Sequence, residues 1–97
     1  MIIAEISTFP IGEGTSLSKY VKAAIKALMD SGVKVTPGAM STVIEAETLD
    51  EIFKATKMAH EAILKMGAKR VATSLRIDDR RDVEATAEKK LKAIKIT

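Results

Sequence analysis

Residues 31–36, SGVKVT, mark a point where a helix gives way to a strand. Gly32 follows a run of apolar residues at helical spacing, and glycine readily adopts the left-handed backbone that ends a helix. A short strand over residues 33–36 is predicted next, because its valines alternate with polar residues. The segment MGAKRV at 66–71 repeats this arrangement after a second helical run, with Gly67 in the equivalent place. The chain is therefore predicted to contain one unit twice: strand, helix, glycine, strand.

The remaining strands are predicted from alternation of apolar and polar residues. The first covers residues 2–8, IIAEIST, in which Glu5 and Ser7 share one side. The third covers residues 40–47 and the fourth residues 69–78. Pro37 and Gly38, which stop the second strand, separate it from the third.

Helix ends are predicted from capping residues. Thr15 or Ser16 is expected to cap the first helix by accepting a bond from a backbone N–H group. Thr48 and Glu51 have the spacing of a capping box at the start of the second helix. A third helix is expected over roughly residues 83–92, with Asp82 as its cap, followed by a short strand or tail at 93–97.

The predicted order is β-α-β-β-α-β with a further helix at the C-terminal end. Two such split units are typical of an α+β, ferredoxin-like fold. Right-handed crossovers would place both main helices on one face of a four-stranded antiparallel sheet. The 97 residues include no linker or low-complexity segment, so we expect one domain over residues 1–97.

The face of the sheet away from the helices is predicted to be mixed in character. Because side chains alternate along a strand, the helices are expected to cover Ala4, Ile6, Thr42, Ile44, Val71, Thr73, Leu75 and Ile77. The open face then carries Ile3, Glu5, Ser7, Ser41, Val43, Glu45, Ala72, Ser74 and Arg76. One interpretation is an oligomer interface, where Glu45 and Glu5 form ion pairs with Arg76 or Lys34. The other is a recess in which a carboxylate and hydroxyl groups hold a small polar ligand, and the two are compatible.

Composition excludes several classes of protein. The absence of cysteine removes disulfides, thiolate metal sites and cysteine nucleophiles. The net charge is only +3, and the basic residues are interleaved with acidic ones. The predicted strands also carry no aromatic residue on which RNA bases would stack. We therefore expect no nucleic-acid partner. No apolar run approaches the roughly 18 residues of a membrane helix, and the N-terminus lacks the basic segment of a signal peptide, so a cytoplasmic protein with no membrane partner is expected.

Catalytic and metal-binding patterns are weak. His60 is the single histidine, and its surroundings lack the spacing of a metal site, so a partly exposed structural histidine is expected. The segment GEGTS at 12–16 lacks the G-K-[ST] ending of a phosphate-binding loop. The run DDRR at 78–81 is interpreted as a charged turn with internal salt bridges. The absence of asparagine and glutamine, beside abundant lysine, arginine and glutamate, favours a thermophilic source.

Four segments carry a resemblance to a known family. They are FPIGEGTSLSKYV at 9–21, MSTVIEAE at 40–47, MAHEAILKMGAKRV at 58–71 and LRIDDRRD at 75–82, which together run nearly end to end. The chain resembles the thiamine-binding protein family, the small YkoF-like proteins with a ferredoxin-like fold. It departs from the family's third-strand pattern in having Ser41 and Ala46 where the family usually has glycine.

The resemblance implies binding of thiamine or its hydroxymethylpyrimidine part, with no catalysis, no cofactor and no metal. It also implies a homotetramer, built as a dimer of dimers, in which sheet faces pack together. Glu45 is expected to accept a bond from the ligand's amine, with Ser7 and Thr42 as hydroxyl partners. Met40 and Ile44 are expected to supply apolar walls. Thr42 and Ile44 belong to the helix-facing set, and a slip of one residue in register would exchange the two faces.

Two other functions stay open at this point. A structural or regulatory homo-oligomer without a vitamin ligand would use the same sheet face for assembly alone. A small enzyme is the weaker alternative, because one histidine and no cysteine leave few pairs of nucleophile and base.

Overall fold

The computed structural model describes residues 1–95. The strands are β1 Ile2–Pro10, β2 Lys34–Pro37, β3 Thr42–Ala46 and β4 Val71–Asp78. The helices are α1 Ser18–Asp30, α2 Leu49–Lys65 and α3 Ala87–Ala93. This order confirms the predicted α+β, ferredoxin-like fold with an extra C-terminal helix. Of the strand or tail predicted at 93–97, the described residues 94 and 95 form no strand, and the last two residues lie outside the described part.

The sheet is antiparallel with strand order β2-β3-β1-β4, and its register confirms the predicted assignment of faces. Ala4 lies opposite Ile44 on one side and Ile77 on the other, so these three side chains share the helix-facing side. On the open side, Glu5 lies between Val43 and Arg76. The register therefore contains no slip that would exchange the two faces.

The core lies between the helix-facing side of the sheet and the two long helices. Ile44 of β3 and Ile52 and Ile63 of α2 are fully buried there, with 0% exposure. Ala55 and Ala59 also have 0% exposure, and such small residues allow α2 to approach the sheet closely. Burial of these aliphatic side chains is the main source of stability, at about 25 cal/mol per Å² of apolar surface. No helix of residues 1–95 is long and apolar enough to cross a membrane.

The local signals at helix ends were confirmed in part. Gly32 and Gly67 have φ angles of +94° and +98°, the left-handed conformation predicted for the residues that end α1 and α2. The Thr48 Oγ1 atom accepts a hydrogen bond from the Glu51 N–H group at 3.2 Å, as the capping box predicts. The predicted cap of α1 is wrong. Leu17 occupies that position, and no side chain caps the helix.

The third helix is also displaced from its predicted position. Thr86, rather than Asp82, caps α3 and accepts a bond from the Lys89 N–H group at 3.1 Å. Asp82 is instead held by Arg80, two residues before it in the turn. Its carboxylate is therefore engaged within the turn, and the helix starts four residues further along the chain.

Candidate functional site

A gap in the sheet arises because two neighbouring strands have different lengths. β1 pairs with β4 as far as Pro10, but with β3 only as far as Ile6, which lies opposite Thr42. Residues 7–10 of β1 therefore have a strand on one edge only. We call the space beside this edge, between β1, the start of α1 and the loop 38–41, the notch.

The notch contains a cavity of about 260 Å³ that combines apolar walls with hydroxyl groups. Its apolar surface comes mainly from β1 and α1, with Ile6, Phe9, Leu17, Val21, Ala24, Ile25 and Leu28. Its hydroxyl groups belong to Ser7, Thr8, Ser41 and Thr42. Small-molecule sites are typically lined in this way, by apolar surface with a few placed polar groups.

Two of these hydroxyl groups are available to a ligand. Within residues 1–95, the hydroxyl groups of Ser7 and Thr42 have no hydrogen-bond partner in the protein. Both hydroxyl oxygens keep some contact with solvent. A hydroxyl group carries one donor and two acceptor positions. Ser7 points to the open side of the sheet and Thr42 to the helix-facing side. The cavity can therefore offer donors and acceptors at separate points along the edge of a polar ring.

The loop 38–41 forms the outer wall of the notch, and its path requires a glycine. A Cβ atom on Gly38 would lie 2.7 Å from the carbonyl oxygen of Ser41, a separation that side chains do not tolerate. The tight turn at Gly38 carries Met40, which is 91% exposed, to the mouth of the cavity. A flexible thioether side chain in that position can fold over an apolar ligand.

Ser41 connects the notch with the open face of the sheet. Its Oγ atom donates a hydrogen bond to Oε2 of Glu5 at 3.2 Å. Glu5 is exposed and lies directly opposite Val43 on β3. A carboxylate is thus present beside the notch, but it belongs to Glu5 and not to Glu45.

Glu45 lies elsewhere, under α3 at the far end of β3. Only 2% of the residue is exposed. Its Oε1 atom accepts a hydrogen bond from the Ala87 N–H group at 2.8 Å, and its Oε2 atom lies 3.7 Å from Nζ of Lys34. Of the two partners expected for Glu45, Lys34 is the one in contact. The carboxylate is engaged within the chain and does not line the notch.

The five residues predicted to bind the ligand therefore divide into two groups. Ser7, Met40 and Thr42 line the same cavity. Ile44 is fully buried in the core, and Glu45 is covered by α3, so neither reaches the cavity. The contribution of α1 to the cavity was not predicted, although the apolar spacing that begins at Leu17 was the available signal.

His60 has a structural environment. Its Nδ1 atom lies 2.7 Å from Thr73 Oγ1, and Thr73 Oγ1 lies 2.6 Å from Thr8 Oγ1, so the three side chains connect α2 to the sheet. His60 is half-buried, which confirms the expected partly exposed structural histidine. Residues 1–95 contain no group of three or more acidic or histidine side chains that could hold a metal ion.

The turn at 79–82 is internally paired, as predicted. Arg80 donates two hydrogen bonds to the Asp82 carboxylate, at 2.9 and 2.8 Å. Nη2 of Arg81 lies 2.8 Å from Oδ2 of Asp79. The Arg80 guanidinium lowers the pKa of Asp82 to about 2. These charges are engaged with one another and leave no unpaired group for acid–base chemistry in the turn.

Comparison with known proteins places the chain among relatives of similar length. It is 47% identical over 96 residues to a UPF0045 protein of Methanothermobacter thermautotrophicus, covering 98% of this chain and 97% of the relative. It is 50% identical over 93 residues to UPF0045 protein MJ1052 of Methanocaldococcus jannaschii, covering 96% of this chain and 91% of the relative.

Solved structures agree with the fold. The crystal structure of the hypothetical protein MJ1052 matches with a TM-score of 0.89 over 96% of this chain and 94% of that one, at 50% identity. A Thermotoga maritima protein, TM0486, which has been suggested to act in thiamine biosynthesis or salvage, matches with a TM-score of 0.78 over 97% of this chain and 98% of that one, at 26% identity. The family model described as thiamine-binding protein matches residues 4–95. This chain belongs to the thiamine-binding protein family.

Proposed function

We propose that the protein binds thiamine through its hydroxymethylpyrimidine ring, held in the notch, and does not transform it. The observation that carries this proposal is that Ser7, Met40 and Thr42 line one cavity in which the hydroxyl groups of Ser7 and Thr42 are free. An aminopyrimidine offers an amine donor and ring-nitrogen acceptors, which hydroxyl groups can match. Its flat faces suit the apolar walls from α1.

The size of the cavity favours one ring over the whole vitamin. Pockets for drug-sized ligands usually measure roughly 300–1,000 Å³, whereas the notch holds about 260 Å³. The pyrimidine would therefore be enclosed, and the rest of thiamine would extend past Ser41 towards the open face. Glu5, which accepts the Ser41 hydrogen bond, lies on that path.

Binding without catalysis is part of the same proposal. His60, the single histidine of the chain, is engaged with Thr73 and does not line the notch. If the proposal is right, thiamine incubated with the protein and extracted afterwards is recovered intact. Appearance of separate pyrimidine and thiazole products would identify an enzyme instead.

We also propose that the protein assembles as a homotetramer, with the ligand site near a subunit interface. Leu91 of α3 is 66% exposed, and Ile94, which directly follows the helix, is 71% exposed. Contiguous exposed apolar surface can mark an interface between chains. Light scattering would give about four times the 10.5 kDa chain mass. A monomer at micromolar concentration would remove the interface and leave the notch as a site within one chain.

Isothermal titration calorimetry with thiamine and with free hydroxymethylpyrimidine tests the binding proposal. Thr42→Val removes the hydroxyl group while preserving side-chain shape, and should weaken both ligands by about 1 kcal/mol, or roughly fivefold. Thr15→Val is the matched control, because Thr15 is exposed and lies outside the cavity. Absence of binding at millimolar concentration of either ligand would contradict the proposal.

A further inference from the structure

The open face of the sheet is ordered in rows that run across the strands. One row contains Lys34, Glu45, Ile3 and Asp78, which lie opposite one another in the register. The next row towards the notch contains Thr36, Val43, Glu5 and Arg76. α3 lies over the first row, since Ala87 bonds to Glu45 and Lys90 bonds to Asp78. The second row lies beside α3 and is not covered by it.

A second cavity, of about 220 Å³, lies over this part of the face. Ile3 and Val43 provide an apolar floor, and Glu5, Arg76, Asp78 and Lys90 provide charged walls. We call it the open-face cavity. A flat ring could rest on Ile3 and Val43 with charged groups around its edge.

The charged walls divide into paired and unpaired groups. Nζ of Lys90 lies 2.5 Å from Oδ2 of Asp78, and the hydrogen bond between them lowers the pKa of the Asp78 carboxyl group. The Arg76 guanidinium group forms no direct ion pair or side-chain hydrogen bond within residues 1–95, although it lies directly opposite Glu5 and its charge helps to lower the pKa of Asp78. Glu5 receives a bond from the uncharged Ser41 hydroxyl. One carboxylate and one guanidinium group therefore face this cavity opposite each other, without a direct ion pair between them.

The open-face cavity and the notch adjoin. Ser41 lines the notch, Glu5 lines the open-face cavity, and the two residues are joined by the 3.2 Å hydrogen bond. Both cavities also border the open side of β1, where Ser7 lines the notch and Glu5, two residues before it on the same side, lines the open-face cavity. A ligand made of two linked rings could occupy both at once.

We propose that the open-face cavity is the second half of the ligand site and receives a cationic ring that carries a phosphate group. This inference rests on the proposed function, because it takes the pyrimidine in the notch as its starting point. Glu5 faces the positive charge of the ring, and Arg76 binds the phosphate. A guanidinium group is suited to this role because its planar set of N–H donors matches two phosphate oxygens at once.

The protein should prefer ligands that engage both Glu5 and Arg76. A ligand with a neutral pyrimidine alone leaves Glu5 and Arg76 unused. Thiamine adds a cation that Glu5 can stabilise, and thiamine monophosphate adds an anion for Arg76. Affinity should therefore rise from hydroxymethylpyrimidine to thiamine and again to thiamine monophosphate.

Calorimetric titration of these three ligands tests the order at low ionic strength. Arg76→Gln should weaken thiamine monophosphate by roughly 10- to 100-fold, the effect of one hydrogen bond between charged groups, while leaving thiamine and the pyrimidine unchanged. Glu5→Gln should weaken thiamine and its phosphate by about tenfold and leave the pyrimidine within about twofold. Arg70→Gln and Glu84→Gln are matched controls, since both residues are exposed and line neither cavity.

The outcomes separate this inference from the proposed function. If the wild-type protein binds thiamine and its phosphate equally, the phosphate role of Arg76 is overturned, while binding of the pyrimidine still supports the notch. If Arg76→Gln weakens all three ligands alike, the residue acts on the fold and the inference is also overturned; thermal unfolding of the same variant identifies that case. If none of the three binds to the wild type, the proposed function itself fails.

Discussion

Oε1 of Glu45 accepts a hydrogen bond at 2.8 Å from the backbone N–H group of Ala87, which is 42 residues further along the chain. This contact joins β3 to the first residue of α3. No residue of α3 is buried, so the helix gains little from apolar burial. A hydrogen bond to a buried carboxylate is therefore a main attachment of α3 to the sheet, and Glu45 acts on the position of this helix.

Replacement of Glu45 by alanine is expected to detach α3. The variant leaves the Ala87 N–H group without its acceptor and should lose about 1.5–3 kcal/mol of unfolding free energy, the usual value of a hydrogen bond to a charged group. Trypsin should also cut faster at Lys89 and Lys90. Glu45→Gln keeps an acceptor oxygen and should lose less. Urea unfolding and timed proteolysis measure both effects, and an unchanged cleavage rate in Glu45→Ala would contradict this role.

Replacement of Gly38 by alanine is expected to deform the notch. The new Cβ atom would lie 2.7 Å from the Ser41 carbonyl oxygen, so the loop must shift at a cost of about 1–3 kcal/mol. Pyrimidine affinity should fall with it, because Met40 and Ser41 would move. Thr15→Ala, an exposed change outside the cavity, is the control. Equal stability and equal affinity in the two variants would show that the turn is not constrained.

The two long helices should respond differently to loss of a hydroxyl group at their starts. Thr48→Ala removes the acceptor for the Glu51 N–H group and should cost about 1 kcal/mol of unfolding free energy. Ser16→Ala should change it by less than about 0.5 kcal/mol, because no side chain caps α1. Chemical denaturation compares the two variants. A similar loss in both would mean that Ser16 does cap the helix.

Acid should weaken the fold partly through the turn at 79–82. The Arg80 guanidinium lowers the pKa of Asp82 to about 2, below its ordinary value of 3.8. At intermediate pH the unfolded chain therefore binds a proton that the folded chain does not. The resulting stabilisation is present above about pH 4 and is lost as pH falls towards about 2.

Asp82→Asn should reduce this dependence. Its melting temperature should fall less than that of the wild type between about pH 5 and pH 2, and added salt should narrow the difference, because both residues are exposed. Glu84→Gln, which removes an exposed carboxylate outside the helices that forms no ion pair within residues 1–95, is the control. If all three proteins show the same slope, the lowered pKa of Asp82 does not contribute.

The features that were predictable from sequence depend on neighbouring residues. Gly32 and Gly67 end their helices because of their own backbone conformation, and Thr48 caps α2 through a residue three positions away. The faces of the strands follow from alternation, which needs no knowledge of the partner strand. These signals were sufficient for the fold class and for the residues that share the open face.

The candidate site depends on strand lengths, which local patterns do not fix. The predicted strands at 2–8 and 40–47, in the observed register, would place Ser41 opposite Ser7 and close the notch. In the structure β3 begins at Thr42 while β1 continues to Pro10. The cavity lies beside the part of β1 that has no β3 residue opposite it. The attachment of Glu45 to Ala87 was equally hidden, because the two residues are 42 positions apart.

Enclosure of a pyrimidine ring by the notch can be observed residue by residue. The most direct measurement is a two-dimensional ¹H–¹⁵N NMR titration of the protein with hydroxymethylpyrimidine. We expect the largest amide shifts at Ser7, Met40, Ser41 and Thr42, with little change at His60. Shifts that cluster elsewhere, or no shifts at millimolar ligand, would contradict it.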